Sequence, residues 1–131
     1  MKVEISIGEV LDKVSILEIK LDKFTDPLKL ANVAKEYDLL TKSMLSLRIS
    51  RESEEFIELK KVNLSIWDIE DSIRICESKQ SFGDEFVKLA RSVYYENDKR
   101  ASIKKRINIK YNSLVVEEKQ YSDYGQSSRD E

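Results

Sequence analysis

The chain contains no histidine, a single cysteine, a single proline and three glycines in 131 residues. Without histidine there is no imidazole for a nucleophilic triad, a His-ligated zinc site or a switch that titrates near neutrality. The lone thiol, Cys76, excludes an intrachain disulfide and a thiolate metal cluster. So little glycine and proline argues against a β-sandwich, which needs a turn signal roughly every 8–12 residues. No apolar run approaches the ~20 residues that span a bilayer. The opening MKVEISIGEV lacks a basic leader followed by an apolar core, so a signal peptide is not expected and a cytoplasmic location is. A net charge of −2 gives no overall pull toward nucleic acid or an anionic membrane.

What remains is 37% charged and 40% hydrophobic residues, the balance of long helices with solvated outer faces. The expected fold is all-α, an antiparallel bundle of about four long helices in one domain over residues 1–121, with a polar tail over 122–131. Val3, Ile5 and Ile7 alternate with polar residues and suggest a short strand, with Leu114 to Val116 as a possible partner. Ser6-Ile7-Gly8-Glu9 fits a capping box, in which Ser6 accepts from an early amide and Glu9 reaches back. The first helix then runs to about Phe24. Asp26 as N-cap and Pro27 at the first helical position start the second, which runs to about Ile49. A polar break at Ser50 to Ser53 precedes a third helix from Glu54 to about Ser78. Ser81-Phe82-Gly83-Asp84 is a second capping-box start, for a fourth helix that ends near Tyr111 with Asn112 as a left-handed cap.

Helical spacing places Ile7, Val10, Leu11, Val14, Leu17, Leu21 and Phe24 on one stripe of the first helix, with Glu18 inside it. Ile16 and Ile19 fall on the other side, so this helix is either central in the fold or shared with a second copy. The third helix has a core stripe of Leu59, Val62, Ile66, Ile69, Ile73 and Cys76; the thiol is best read as a small hydrophobe. Beside it lies a second line, Phe56, Asn63, Trp67, Glu70 and Arg74. On the fourth helix Asn97, Arg100, Lys104 and Asn108 share the inner arc of Phe86, Leu89, Ala90, Val93, Ile107 and Tyr111. A buried polar group without a partner costs about 1–3 kcal/mol, so these four need partners or a ligand. Glu18, Glu70, Asp98, Asn63 and Arg74 are the candidates.

Two uses of that seam are open. It can be a buried network that sets helix register. It can also be a cleft for a small anionic or polar ligand, built from Glu18, Asn63, Trp67, Glu70, Arg74, Asn97, Arg100, Lys104 and Asn108, with Trp67 or Tyr94 as a stacking wall. The expectation is a helical accessory or binding protein, homodimeric through the first helix, with no cofactor. The enzymatic alternative is a magnesium-dependent, all-α nucleoside triphosphate pyrophosphohydrolase. Such enzymes hold the metal on carboxylates spaced i, i+3 along facing helices. Asp68 and Asp71 supply one such pair, whereas Glu96-Asn97-Asp98 has the wrong spacing for the other. KRASIKKRINIK, residues 99–110, is basic, but its charges spread around the helix, and a solvated outer face is favoured over nucleic-acid binding.

The segments EISIGEVLDKVSILEIKLDK, IWDIEDSIRICE, FVKLARSVYYENDKRASIKKRIN and LVVEEKQY together resemble an uncharacterised family of small bacterial proteins, a domain of unknown function. The resemblance implies an intact domain and a genomic neighbourhood of surface-polysaccharide and glycosyl-transfer genes. It lends no activity and no catalytic residue.

Overall fold

The computed structural model describes residues 1–124; the end of the expected polar tail, 125–131, lies outside the described residues. Four helices form: α1 (Ile7–Lys23), α2 (Pro27–Ser46), α3 (Glu54–Ser78) and α4 (Asp84–Lys110). The described residues contain no strand, and the expected terminal strand pair is absent. The two ends do meet, but through a hydroxyl. Ser113 Oγ accepts from the Ile7 N–H at 3.0 Å and donates to the Val115 carbonyl at 2.7 Å.

That contact belongs to a cap assembled from both ends of the chain. An α-helix leaves its first four N–H groups without intrahelical partners. In α1 these go to Ser113 Oγ, to Asn108 Oδ1 at 2.7 Å, to Ser6 Oγ at 3.1 Å and to the Ser6 carbonyl at 3.1 Å. Half of the expected capping box is present. Glu9 does not reach back; its carboxylate turns to Lys104 and Lys13. Asp26 caps α2 as expected, ahead of Pro27. The capping box at Ser81 does not form, because α4 starts later, at a Gly83 N-cap with no side-chain bond.

The C-termini of α2, α3 and α4 share one device. Arg48, Gln80 and Asn112 adopt positive φ of 59°, 53° and 55°. Each is followed by an amide that returns to the helix: Ile49 to the Met44 carbonyl, Ser81 to Cys76 and Ser113 to Asn108. These are Schellman closures. Only Asn112 carries the residue type that advertises one. Arg48 ends α2 at Ser46, earlier than the expected Ile49.

α1 is central. It packs against α2, α3 and α4, and α3 also packs against α4, while α2 rests on α1. This arrangement accounts for the two apolar sides of α1, since Ile19 is buried within the chain and only Ile16 stays half-exposed. The main core lies at one end, where Val10, Leu11, Val14, Met44, Ile49, Phe56, Leu59, Ile103 and Ile107 cluster. At 17 residues α1 spans about 25 Å, against about 40 Å for the 27 residues of α4. The far parts of α3 and α4 therefore extend past α1. Their seam residues Ile66, Ile69, Ile73, Phe86, Leu89 and Val93 are only half-buried.

Gly8 marks the closest approach of α1 to α4. A Cβ there would lie 2.7 Å from the Lys104 carbonyl oxygen and 3.0 Å from Asn108 Oδ1. Alanine in place of glycine in a helix is worth about 1 kcal/mol in propensity, but here the two helices must separate to admit it. Gly8→Ala is expected to lower stability by about 1–3 kcal/mol in urea unfolding, the usual cost of overpacking. A gain in stability would show that the contact yields freely.

Candidate functional site

The polar residues on the inner arc of α4 do find partners, and the central one is Asp12 on α1. Its side chain is almost wholly buried. Arg100 grips the carboxylate with two bonds, Nε to Oδ1 at 3.0 Å and Nη2 to Oδ2. Asn63 Nδ2 donates to Asp12 Oδ1 and to Ser15 Oγ, both at 2.8 Å, and Ser15 donates to the Asp12 carbonyl at 2.8 Å. Lys104 Nζ completes the cluster at 2.7 Å from Glu9, 3.1 Å from Glu117 and 3.8 Å from Asp12. One turn further on, Asn108 is buried, with its Oδ1 on the Gly8 N–H and its Nδ2 without a partner.

Burial works to raise the pKa of Asp12. The hydrogen bonds from Arg100 and Asn63 and the charges of Arg100 and Lys104 outweigh it and hold the carboxyl below its ordinary value. For Lys104 burial works downward, but Glu9, Asp12 and Glu117 prevail and its pKa is raised. Both groups stay charged at neutral pH.

A second cluster surrounds Glu18. Its carboxylate accepts from Tyr37 Oη at 2.8 Å, Lys60 Nζ at 2.8 Å and Arg51 Nε. Burial pushes the Glu18 carboxyl up, and the bonds from Arg51, Lys60 and Tyr37 pull it net below its ordinary value. Burial and the neighbouring carboxylate raise the Tyr37 phenol.

The expected nine residues therefore do not form one cleft. Asn63, Arg100 and Lys104 converge on Asp12, with Asn97 at the edge, its Oδ1 3.4 Å from Arg100 Nη1. Asn108 joins the end cap, and Trp67 packs against the Phe24 ring at 6.2 Å between centroids. Glu18 does not meet the α4 cations. It stands six residues from Asp12, about 120° around the helix at ~100° per residue, and faces α2 and the start of α3. Glu70 and Arg74 are exposed, on the part of α3 that extends past α1, and they pair with nothing among the described residues. Asp68 and Asp71 are exposed there too. Among the described residues no group of three or more His, Cys, Asp or Glu side chains is placed to hold a metal ion.

Sequence reasoning missed Asp12, Ser15 and Glu9. The available signal was Gly8, Asp12 and Ser15 at spacings of four and three, a stripe of small and polar residues between the two apolar faces. A groove of about 200 Å³ opens beside the network, lined by Glu9, Asp12, Lys13, Ile16, Leu17, Lys20, Glu36 and Arg100. Its floor is the outer side of α1, and Glu36 of α2 and Arg100 of α4 form its walls. Among the described residues no helix is long and apolar enough to cross a membrane.

The chain belongs to a family of unknown function (DUF6165), whose profile matches residues 1–128. The likeness carried by the helical segments thus extends over nearly the whole chain. No curated protein and no solved structure matches it.

The lowered pKa of Asp12 means that its contribution to stability is present above the unfolded-state value, near pH 4, and is lost as pH falls through the folded-state value. Asp12→Ala should cost about 3–5 kcal/mol at pH 7, because it strands the partly buried Arg100, and should flatten the acid limb of stability against pH. The exposed Arg74→Leu should stay within about 0.5 kcal/mol of the parent. Urea titrations from pH 7 to pH 3 measure all three. Equal losses from both substitutions would refute the central role of Asp12.

Proposed function

We propose that this chain is a helical accessory or binding protein, not an enzyme, and that the groove beside Asp12 and Arg100 takes a small anionic or polar ligand. The observation that carries this reading is the saturation of the buried carboxylates. A general acid or base needs a pKa near the working pH and freedom to exchange its proton. Asp12 and Glu18 are each held by two cations and shifted away from neutrality. Such groups position their neighbours and do not shuttle protons.

Arg100 belongs to both the network and the groove wall. Its guanidinium is fixed by Asp12 and so is preorganised toward an incoming anion, which lowers the entropic cost of binding. Lys13 and Lys20 on the rim add positive charge, while Glu9 and Glu36 favour a ligand that also carries a donor group. Isothermal titration with inorganic phosphate and with citrate tests the site. Lys13→Ala with Lys20→Ala should weaken binding about fivefold or more, a loss of roughly 1 kcal/mol. No heat from either anion, or an affinity untouched by the double substitution, would count against the groove.

The reading includes an antiparallel bundle completed by a second copy. The cross-helix pairs support opposed directions: Gly8 with Asn108 and Asp12 with Arg100, Glu55 with Lys110 and Glu58 with Arg106. The docking face proposed for that copy is, in place of the expected α1, the extension of α3 and α4 and the turn between them, where Ile75, Phe82 and Val87 are about half exposed. Ile75→Asp with Val87→Asp should convert a dimer into a folded monomer by light scattering. A monomeric parent, or a variant of unchanged mass, would remove this part of the proposal.

A further inference from the structure

Between Tyr111 and Tyr124 the described chain forms no helix or strand, yet it is tied back at separate points. Ser113 fixes its start against the Ile7 amide. Glu117 reaches Lys104 at 3.1 Å and Glu118 reaches Lys105 at 3.4 Å. Tyr124 then donates its hydroxyl to Asp98. Its ring stands edge-on to Tyr94 at 4.9 Å and to Tyr95 at 5.3 Å. We infer that the face of α4 that carries Tyr94, Asp98 and Lys105, with Lys104 at its inner edge, is a recognition surface for an acidic, tyrosine-bearing extended segment, and that residues 114–124 are its resident and exchangeable occupant.

Charge supports the first half of this inference. Around Asp12 three cations, Lys13, Arg100 and Lys104, face two carboxylates, Glu9 and Asp12, and Glu117 supplies the charge that balances them. When the strap lifts, that cluster and Lys105 are left positive, which favours an acidic group in the vacated place. The spacing supplies specificity. Two adjacent acids meet adjacent lysines, and a tyrosine six or seven residues later meets a pair of tyrosines. A small anion could satisfy the first contact but not the second.

The strap is built to leave. Its acids stay accessible, Glu117 at 48% and Glu118 at 72%, and only Lys104 among their partners is largely buried; pairs open to water in this way are individually weak. Leu114 and Tyr121 are largely exposed, at 85% and 76%, so little apolar burial holds the segment down. The occupant that replaces it is an extended segment of a partner protein with two neighbouring carboxylates and an unmodified tyrosine at the same spacing. Asp98 makes the phenol the preferred form, because a phosphate there would face a second anion.

Fluorescence anisotropy with a labelled peptide, SLVVEEKQYSDY, tests this on the full chain. The tethered strap competes at an effective concentration in the millimolar range. The variant Glu117→Gln, Glu118→Gln, Tyr124→Phe should therefore bind the peptide at least about tenfold more tightly than the parent. Adding Lys105→Glu and Tyr95→Ala should abolish that gain, and a phosphotyrosine version of the peptide should bind more weakly. In the unmodified protein an excess of isotopically heavy peptide should raise hydrogen exchange across the in-chain residues 114–124, a readout that needs no variant. Equal affinity for parent and strap variant would overturn the inference, as would binding indifferent to Lys105 and Tyr95. Release of the strap by inorganic phosphate alone would assign the surface to a small anion instead.

Discussion

The fold depends most on the clasp of Arg100 around the buried carboxylate of Asp12. Burial of an unpaired carboxylate would oppose folding by several kcal/mol. The cost is met because α3 supplies Asn63 and α4 supplies Arg100 and Lys104 to the same few atoms. The bidentate geometry also fixes distance and orientation together, which a point charge could not do. With Asp12 set against Arg100 and Lys104, Gly8 falls opposite Asn108 and Glu9 opposite Lys104. The register of α1 on α4 is thereby specified by polar contacts, while the apolar residues supply the burial.

The same clasp divides the molecule. On one side lies the apolar core of Leu11, Val14, Phe56, Leu59 and Ile107, closed at its end by the shared cap of Ser6, Asn108 and Ser113. On the other side α1 ends first, and the seam of α3 and α4 continues with no third helix of the described residues across it. Their outer residues stay accessible for a purely geometric reason, the difference between 17 and 27 residues of helix. The short central helix thus leaves part of the α3–α4 seam uncovered, while the strap lies along another face of α4.

Much of the local structure was legible. Asp26-Pro27 and Asn112 each act through bonds available within a few residues, so their roles follow from residue type. The closures at Arg48 and Gln80 were not legible, because neither residue favours positive φ and only the packing of the following amide selects it. The inner arc of α4 correctly marked Arg100, Lys104 and Asn108 as groups in need of partners. The partners were misassigned wherever the choice depended on helix length and rotation. Glu70 and Arg74 share a helical line with Asn63, but α1 does not extend far enough to bury them.

The sequence by itself determined the helices, most of their ends and the existence of a polar seam, because periodicity and capping are local physics. Only the tertiary structure decided that Asp12, and not Glu18, meets Arg100, since about 120° of rotation between them selects the neighbouring helix. It likewise decided that Gly8 lies under the Lys104 carbonyl and that Glu117 balances the cations of α4. Those facts join residues about 90 to 100 positions apart, or a tail to a helix it folds back upon, and no local pattern encodes such distances. The absence of histidine excluded much chemistry at the outset; the closed pairing of the buried acids Asp12 and Glu18 was decided by the tertiary structure.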